Sequence, residues 1–225
     1  MIVLADLDGT LVDRAGAFTR WARRFVVAHG GDDDDVRWLL DLDADGYAPR
    51  SDVAAALQHR LGLQDGVLRL VERLLFEHVD DVRPFPGVRE ELHALRTASD
   101  GRAPAVVVVV TNGTVAQQER KLAVSGLVDD VDGVVVSEAV GVKKPDRRVF
   151  EVALARAAQL GGAGAAWMVG DHAVADVAGG SGAGLLTGWV SGGRPWPGGP
   201  RPDLVAVGTA ELLAAVRRGA ALKRR

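Results

Sequence analysis

The chain has 225 residues, of which 48% are apolar and 25% are charged, and its net charge is −3. A chain of this length can fold as one large domain or as a domain that carries an insertion. The charge balance gives no electrostatic reason to expect a nucleic acid polymer or an anionic membrane surface as a partner. The sequence has no cysteine, which excludes disulfides, thiolate catalysis and cysteine-ligated zinc.

The apolar runs are short. None of them approaches the roughly 20 residues that a membrane-spanning helix needs. The first run begins at Ile2 and is interrupted at Asp6, which is too early for a signal peptide. We therefore expect a soluble, cytoplasmic protein.

Five apolar runs predict β-strands. They are Ile2–Leu7, Val106–Val110, Val134–Val136, Ala166–Val169 and Leu185–Val190. Their β-branched residues and their lack of alternation suit strands that are covered on both faces. Helical patterns lie between the later runs, over Val88–Leu95, Val115–Val124, Arg148–Leu160 and Val174–Gly179. This alternation predicts an α/β fold with a doubly wound parallel sheet and helices on both faces.

The interval between the first two strands breaks the alternation. Arg14 to Val82 contains no convincing strand, but it carries several amphipathic patterns that predict helices. Asp32–Asp35 gives one of these helices an acidic start, and Ser51 and Asp65 are predicted to cap two more. We therefore predict a catalytic core formed by residues 1–14 and 84–225, with an α-helical domain inserted at residues 15–83.

Polar residues follow the predicted strands. They are Asp6 and Asp8 after the first strand, Thr111-Asn112-Gly113 after the second, Lys143-Lys144 after the third and Gly170-Asp171 after the fourth. In an open parallel sheet, ligands bind beyond the carboxyl ends of the strands. Carboxylates that converge there need a cation, because like charges that are buried together repel. An all-oxygen site suits Mg²⁺ best.

These residues resemble the motifs of the haloacid dehalogenase superfamily of phosphatases, and the match spans nearly the whole chain. The four motifs appear in order as Asp6-Leu7-Asp8-Gly9-Thr10, Thr111-Asn112-Gly113, Lys144-Pro145-Asp146 and Gly170-Asp171 with Asp176 five residues on. Any one of them is a weak signal, but four in order at strand ends or in the loops that follow are specific. The inserted helical segment resembles the cap domain that this family places there.

The resemblance implies a phosphohydrolase with assigned roles. Asp6 would attack phosphorus and form an aspartyl-phosphate. Asp8 would protonate the leaving oxygen and later take a proton from the attacking water. The Thr111 hydroxyl, the Asn112 backbone N–H and Lys144 would hold the phosphoryl oxygens.

The resemblance also implies a magnesium site. Mg²⁺ would be held by the Asp6 carboxylate, the Asp8 backbone carbonyl and Asp171, and Asp176 would support the metal shell directly or through water. The alternative for Asp176 is an acid on a helix surface. His172, next to Asp171, could touch the substrate, but the family requires no histidine there.

Three alternatives compete with a phosphatase. Dehalogenases of the superfamily lack a carboxylate at the position of Asp8 and need no metal, so Asp8 disfavours that chemistry. A sugar-phosphate mutase similar to β-phosphoglucomutase uses the same two aspartates and the same cap placement, and it stays open. The third alternative is a receiver-like switch module that only accepts a phosphoryl group. Such a module carries its acceptor after the third strand, and Ser137-Glu138 occupies that place here, which disfavours this alternative.

The expected substrate is a small phosphorylated metabolite. Gln117, Lys121-Leu122 and Ser137-Glu138, together with the second motif, are most similar to subgroups that act on nucleoside monophosphates or acylneuraminate phosphates. A nucleotidase or a sugar-acid phosphatase is therefore expected. Within the inserted domain, Tyr47 and Arg50 are the polar candidates to face a substrate, although a plain surface loop is an equal alternative. The oligomeric state stays open.

Overall fold

The computed structural model describes residues 1–97 and 103–219, so residues 98–102 and 220–225 of the predicted core lie outside it. The strands are β1 (Ile2–Ala5), β2 (Val106–Thr111), β3 (Gly133–Val136), β4 (Ala166–Gly170), β5 (Leu186–Val190) and β6 (Leu204–Ala206). The α-helices that alternate with them are α5 (Val88–Arg96), α6 (Val115–Ser125), α7 (Ser137–Val140), α8 (Arg147–Gln159), α9 (Gly179–Gly182) and α10 (Thr209–Arg217). A π-helical turn, Ala173–Ala178, precedes α9.

All strand pairs in the sheet are parallel, and the strand order is β3-β2-β1-β4-β5-β6. β1 lies at the centre, with β2 and β3 on one side and β4, β5 and β6 on the other. The direction in which strands are added to the sheet therefore reverses after β3. Such a reversal of strand order leaves a crevice at the carboxyl ends of the central strands, where ligands bind. The predicted doubly wound α/β fold is confirmed.

The sheet is covered on both faces. On one face, Leu4, Val108 and Met168 pack with residues of α8, including Phe150. Neighbouring residues along a strand point to the other face. There Leu212 of α10 lies against Gly188, where an added methyl group would be 3.1 Å from its nearest side-chain atom. The continuous apolar character of the strands follows from this two-sided burial.

The chain divides into two compact units, Met1–Val12 with Pro84–Arg225, and Asp13–Arg83. The second unit is helical and contains α1 (Arg14–Ala28), α2 (Asp33–Asp43), α3 (Arg50–Leu61) and α4 (Val67–Phe76), with 3₁₀ turns at Ala44–Gly46 and Glu77–Asp81. Its own apolar core includes Phe18, Leu39, Leu57 and Leu74. Across the described ranges, no helix has the length and apolar character needed to cross a membrane.

Two of the three helix caps predicted in this unit are wrong. Asp32 caps α2 as expected, because its side chain accepts from Asp34 and Asp35 in a capping box. Ser51 is not an N-cap, since α3 begins at Arg50 and the Pro49 carbonyl accepts from the first-turn N–H groups. Asp65 is not an N-cap either. α4 begins at Val67, and the Asp65 carboxylate pairs with Arg73 instead.

Candidate active site

Three carboxylates meet beyond the carboxyl ends of β1 and β4. One oxygen from each of Asp6, Asp171 and Asp176 lies within 4.8 Å of the others. The Lys144 ammonium donates to Asp6 Oδ1 at 2.7 Å and to Asp176 Oδ1 at 2.7 Å. One buried ammonium leaves three crowded carboxylates with excess negative charge. Oxygen donors with that charge fit a hard divalent cation.

The protonation equilibria reflect this crowding. Burial raises the pKa of Asp6, the Lys144 ammonium opposes the rise, and the carboxylates of Asp176 and Asp171 add to it, so that the pKa is about 8. Burial and Asp176 also raise the pKa of Asp171, against the opposing effect of Arg194. Burial lowers the pKa of Lys144, but Asp176 and Asp6 outweigh it and raise the pKa above its usual range. A bound cation would favour the ionised carboxylates.

Asp176 is positioned by the turn that follows β4. It lies in the π-helical turn, is completely buried, and its Oδ2 accepts from the His172 backbone N–H at 3.0 Å. The His172 ring accepts through Nδ1 from the N–H groups of Val174 and Ala175, so it caps the same turn. The alternative interpretation of Asp176 as an acid on a helix surface is therefore excluded, and its role in the metal shell stays a prediction.

Asn112 holds the loop that carries Lys144. Its side-chain oxygen accepts from the Lys144 backbone N–H at 2.8 Å, and its amide donates to the Lys144 carbonyl at 3.1 Å. Thr111 is buried at the end of β2. Contacts from Thr111 and the Asn112 backbone to a phosphoryl group stay predictions. Lys143, which precedes the motif lysine Lys144, is exposed.

The Asp8 carboxylate has different surroundings from Asp6. Lys121 of α6 donates to Asp8 Oδ2 at 2.6 Å, and the Gln118 amide lies 3.5 Å from the same oxygen. Both partners are buried. Gly113 makes room for Gln118, since a methyl group on Gly113 would lie 2.3 Å from Gln118 Nε2. The second motif therefore also shapes the environment of Asp8.

The Asp171 carboxylate is held from two sides. Thr10 donates to its Oδ1 at 3.4 Å, and Arg194 lies 3.3 Å from its Oδ2. The indole of Trp189 donates to the Asp171 carbonyl at 2.8 Å. Gly9 allows the close approach, because its φ is +77° and a methyl group there would lie 2.8 Å from the Asp171 carboxylate. Asp171 is thus fixed by the first motif and by β5 with its following loop.

Site roles for Gln118, Lys121 and Arg194 were not predicted from the sequence. A signal for the first two exists, because they lie three residues apart on the stripe of α6 that also carries buried Leu122. Polar residues on a stripe that should be apolar indicate a polar partner in the core. Arg194 follows two glycines in a loop, where no periodic pattern could reveal its partner.

The two candidates in the helical unit differ in their surroundings. Arg50 donates to Asp43 Oδ1 at 2.5 Å, and Arg14 donates to Asp43 Oδ2 at 2.6 Å. Asp43 is almost completely buried, and its two arginine neighbours hold its pKa below the usual range despite that burial. Tyr47 is exposed. Arg50 thus contributes to an internal ion-pair cluster of this unit.

Comparison with known families gives a match to haloacid dehalogenase-like hydrolases over residues 3–190. Pyrimidine 5'-nucleotidase YjjG of Escherichia coli is 36% identical over 132 residues, which are 59% of this chain and 55% of that protein. This chain therefore spans little more than half of that relative. Ribulose-1,5-bisphosphate 5-phosphatase of Halopiger xanaduensis is 34% identical over 203 residues, 82% of each chain.

Solved structures share the fold over nearly the full length. The HAD-hydrolase YfnB from Bacillus subtilis superimposes with a TM-score of 0.73 at 22% identity, covering 96% of this chain and 97% of that one. The 2-haloacid dehalogenase from Pseudomonas syringae gives a TM-score of 0.64 at 27% identity, covering 96% and 98%. The same fold thus occurs in proteins named for different reactions, so the reaction has to be argued from the site.

Proposed function

The chain belongs to the haloacid dehalogenase-like hydrolase family, and we propose that it is a phosphatase that hydrolyses small phosphomonoesters with Mg²⁺ through an aspartyl-phosphate on Asp6. The observation that carries the proposal is the bridge from Lys144 to both Asp6 and Asp176, beside Asp171. It combines a carboxylate nucleophile, a fixed cation for the phosphoryl oxygens and a set of oxygen donors for a metal.

Asp6 is the nucleophile in the first step. One of its carboxylate oxygens forms a bond to phosphorus while the bond from phosphorus to the ester oxygen breaks. The leaving oxygen takes a proton from Asp8. Lys144 offsets the charge on the phosphoryl oxygens, and its two carboxylate partners fix its ammonium for that task.

Asp8 acts as the base in the second step. It takes back a proton from a water molecule, whose oxygen attacks phosphorus and releases inorganic phosphate, and the Asp6 carboxylate is restored. Asp6, the Asp8 carbonyl, Asp171 and Asp176 would hold Mg²⁺. When bound, the cation offsets the negative charge of the carboxylates and orients the phosphoryl group.

Asp8 also separates this chemistry from dehalogenation. A halide leaves as an anion and takes no proton. Dehalogenation therefore does not need an acid at the position of Asp8. Cleavage of a phosphomonoester uses an acid in the first step and a base in the second. Lys121, a buried lysine that donates to Asp8, holds this acid and base in position. It therefore supports cleavage of a phosphomonoester. A sugar-phosphate mutase, which uses the same two aspartates, is the remaining alternative in the proposal.

The proposed substrate class is a small phosphorylated metabolite. The curated relatives are named for pyrimidine nucleotides, phosphoglycolate, ribulose bisphosphate and phosphoserine, which share a phosphate on a small polar body. The proposal therefore includes nucleoside monophosphates and small phosphorylated acids and sugars. The helical unit, Asp13–Arg83, is proposed to select among them as a cap.

The test is a screen of phosphate release. Purified protein is assayed with Mg²⁺ on 4-nitrophenyl phosphate and on nucleotides, sugar phosphates and phosphorylated two- and three-carbon acids. We expect release of inorganic phosphate that a chelator abolishes and that added Mg²⁺ restores. Transfer of phosphate between sugar positions would favour the mutase. Release that is indifferent to chelator, or halide release from a haloacid, would contradict the proposal.

A further inference from the structure

Lys121 is a buried cation that pairs with an acidic residue. It is 2% exposed, and its ammonium donates to Asp8 Oδ2 at 2.6 Å. Within residues 1–97 and 103–219 it forms no second ion pair. Burying an ammonium is unfavourable, and a methionine would fill the same space without that cost. Packing alone therefore does not account for a lysine at this position.

The two oxygens of Asp8 differ in their surroundings. Oδ2 receives Lys121 and faces the Gln118 amide. Oδ1 is buried and accepts no hydrogen bond from any residue that the structure describes. An acceptor that is buried without a donor is costly in a folded protein, so the position of this carboxylate depends on its contacts at Oδ2. Of the two contacts at Oδ2, the Lys121 ion pair is the shorter and the charged one.

We propose that Lys121 is a positioning residue that anchors the Asp8 carboxylate through Oδ2 and so fixes its orientation for the proton exchange with the ester oxygen and with water. This inference rests on the proposed phosphatase function. The proton balance is simple. Asp8 gives its proton to the leaving oxygen in the first step and receives one from water in the second, while Lys121 keeps its own protons throughout.

Gln118 assists Lys121 in the same task. Its amide donates to the Asn112 carbonyl at 3.1 Å, which ties the second motif to the surroundings of Asp8. Lys121 and Gln118 both project from α6, a helix of eleven residues that is capped at Thr114. A rigid helix therefore determines the orientation of Asp8. Without the ammonium, the Asp8 carboxylate can rotate and no longer has a fixed orientation.

The inference predicts a dependence on the leaving group. An alkoxide is a poor leaving group and needs a well-placed acid, whereas 4-nitrophenolate leaves without one. A change that only misplaces Asp8 should therefore slow alkyl phosphates far more than 4-nitrophenyl phosphate. Loss of metal binding or of the nucleophile would slow both substrates alike.

The experiment compares Lys121→Met with wild type on 4-nitrophenyl phosphate and on the best alkyl phosphate from the screen. We expect kcat/KM to fall about 10²-fold on the alkyl phosphate, the range for general acid catalysis, and by less than about tenfold on 4-nitrophenyl phosphate, with unchanged activation by Mg²⁺. Lys143→Met, which removes an exposed lysine of the same unit, is the matched control and should keep both rates. Equal losses on the two substrates, or no loss, would overturn the inference.

A second measurement does not depend on turnover. If wild type releases phosphate from no ester, the proposed function has failed, and the Lys121–Asp8 pair is judged by unfolding in urea. Lys121→Met, Asp8→Asn and the double variant form a cycle in which two coupled residues give a non-additive change. Additive effects on the urea midpoint would refute the pairing. Circular dichroism of each variant identifies any that fails to fold.

Discussion

Gly170 leaves the space that the Asp176 carboxylate occupies: a methyl group on Gly170 would lie 2.2 Å from Asp176 Oδ2 and 2.3 Å from its carboxyl carbon. The two residues are close because the π-helical turn after β4 brings Asp176 back over the end of that strand. Any side chain at position 170 would push the carboxylate away from Asp6 and Asp171. The glycine of the fourth motif is thus required by the geometry of the acidic cluster.

Gly170→Ala is predicted to impair metal binding. The added methyl group displaces Asp176, so the rise in melting temperature that Mg²⁺ produces in wild type should be lost or greatly reduced. Gly182→Ala is the matched control, because a methyl group at Gly182 would meet no described atom within 4 Å other than its chain neighbours and the backbone of its own helix. Thermal unfolding with and without Mg²⁺ checks the prediction. A full response to Mg²⁺ in Gly170→Ala would contradict it.

The neighbouring lysines 143 and 144 are predicted to differ sharply. Lys144→Met removes the ammonium that bridges Asp6 and Asp176, and the loss of such a fixed cation costs about 10²–10³ in kcat. Lys143→Met removes an exposed charge and should leave kcat unchanged. Steady-state kinetics on 4-nitrophenyl phosphate measures both. Comparable losses in the two variants would show that Lys144 has no special role.

The metal-free protein is predicted to lose stability as the pH rises. The pKa of Asp6 is raised from 3.8 to about 8, so the folded protein binds more protons than the unfolded chain between these values. The free energy of unfolding therefore falls as the pH increases through that window. Urea unfolding in the presence of chelator, at several pH values, gives the slope. The slope should be smaller in Asp6→Asn, and an equal slope would contradict the assignment.

Binding of Mg²⁺ is predicted to strengthen over the same window. The cation competes with protons for the carboxylates of Asp6 and Asp171, whose pKa values are raised. Binding of the cation therefore releases protons. At a fixed Mg²⁺ concentration, the stabilisation by metal should be larger near pH 8 than near pH 6. Melting temperatures with and without Mg²⁺ at the two pH values test this. A pH-independent response would show that these carboxylates do not bind the ion.

Much of the fold follows from local patterns. The strands β1 to β5 were predicted within about two residues, because each is a β-branched run that two helical layers cover. β6 was not predicted, since Leu204–Ala206 is three residues long, pairs on one side only and is partly exposed. The caps at Ser51 and Asp65 were wrong because neighbouring residues in the chain take up the contacts that a cap would make. Pro49 provides the first carbonyl of α3, and Asp65 pairs with Arg73.

The residues of the candidate site could be predicted from the sequence where they belong to one of the four motifs. Asp6, Asp171, Asp176 and Lys144 were placed from strand ends and the loops after them, and the structure brings all four together. The partner of Asp8 was not predicted, because 113 residues separate Lys121 from it and the contact depends on how α6 packs. Long-range pairs of this kind are determined by tertiary packing, which no local period reveals.

The most direct test of the central claim is to identify the phosphorylated residue. Asp8→Asn should still accept phosphate from 4-nitrophenyl phosphate, but it should release that phosphate slowly because the second step lacks its base. Acid quenching followed by borohydride reduction converts an aspartyl-phosphate to homoserine, which peptide mass spectrometry locates. The account predicts homoserine at position 6 alone, and a loss of at least about 10³-fold in turnover for folded Asp6→Asn. Homoserine at another position, or turnover near the wild-type rate in Asp6→Asn, would contradict it.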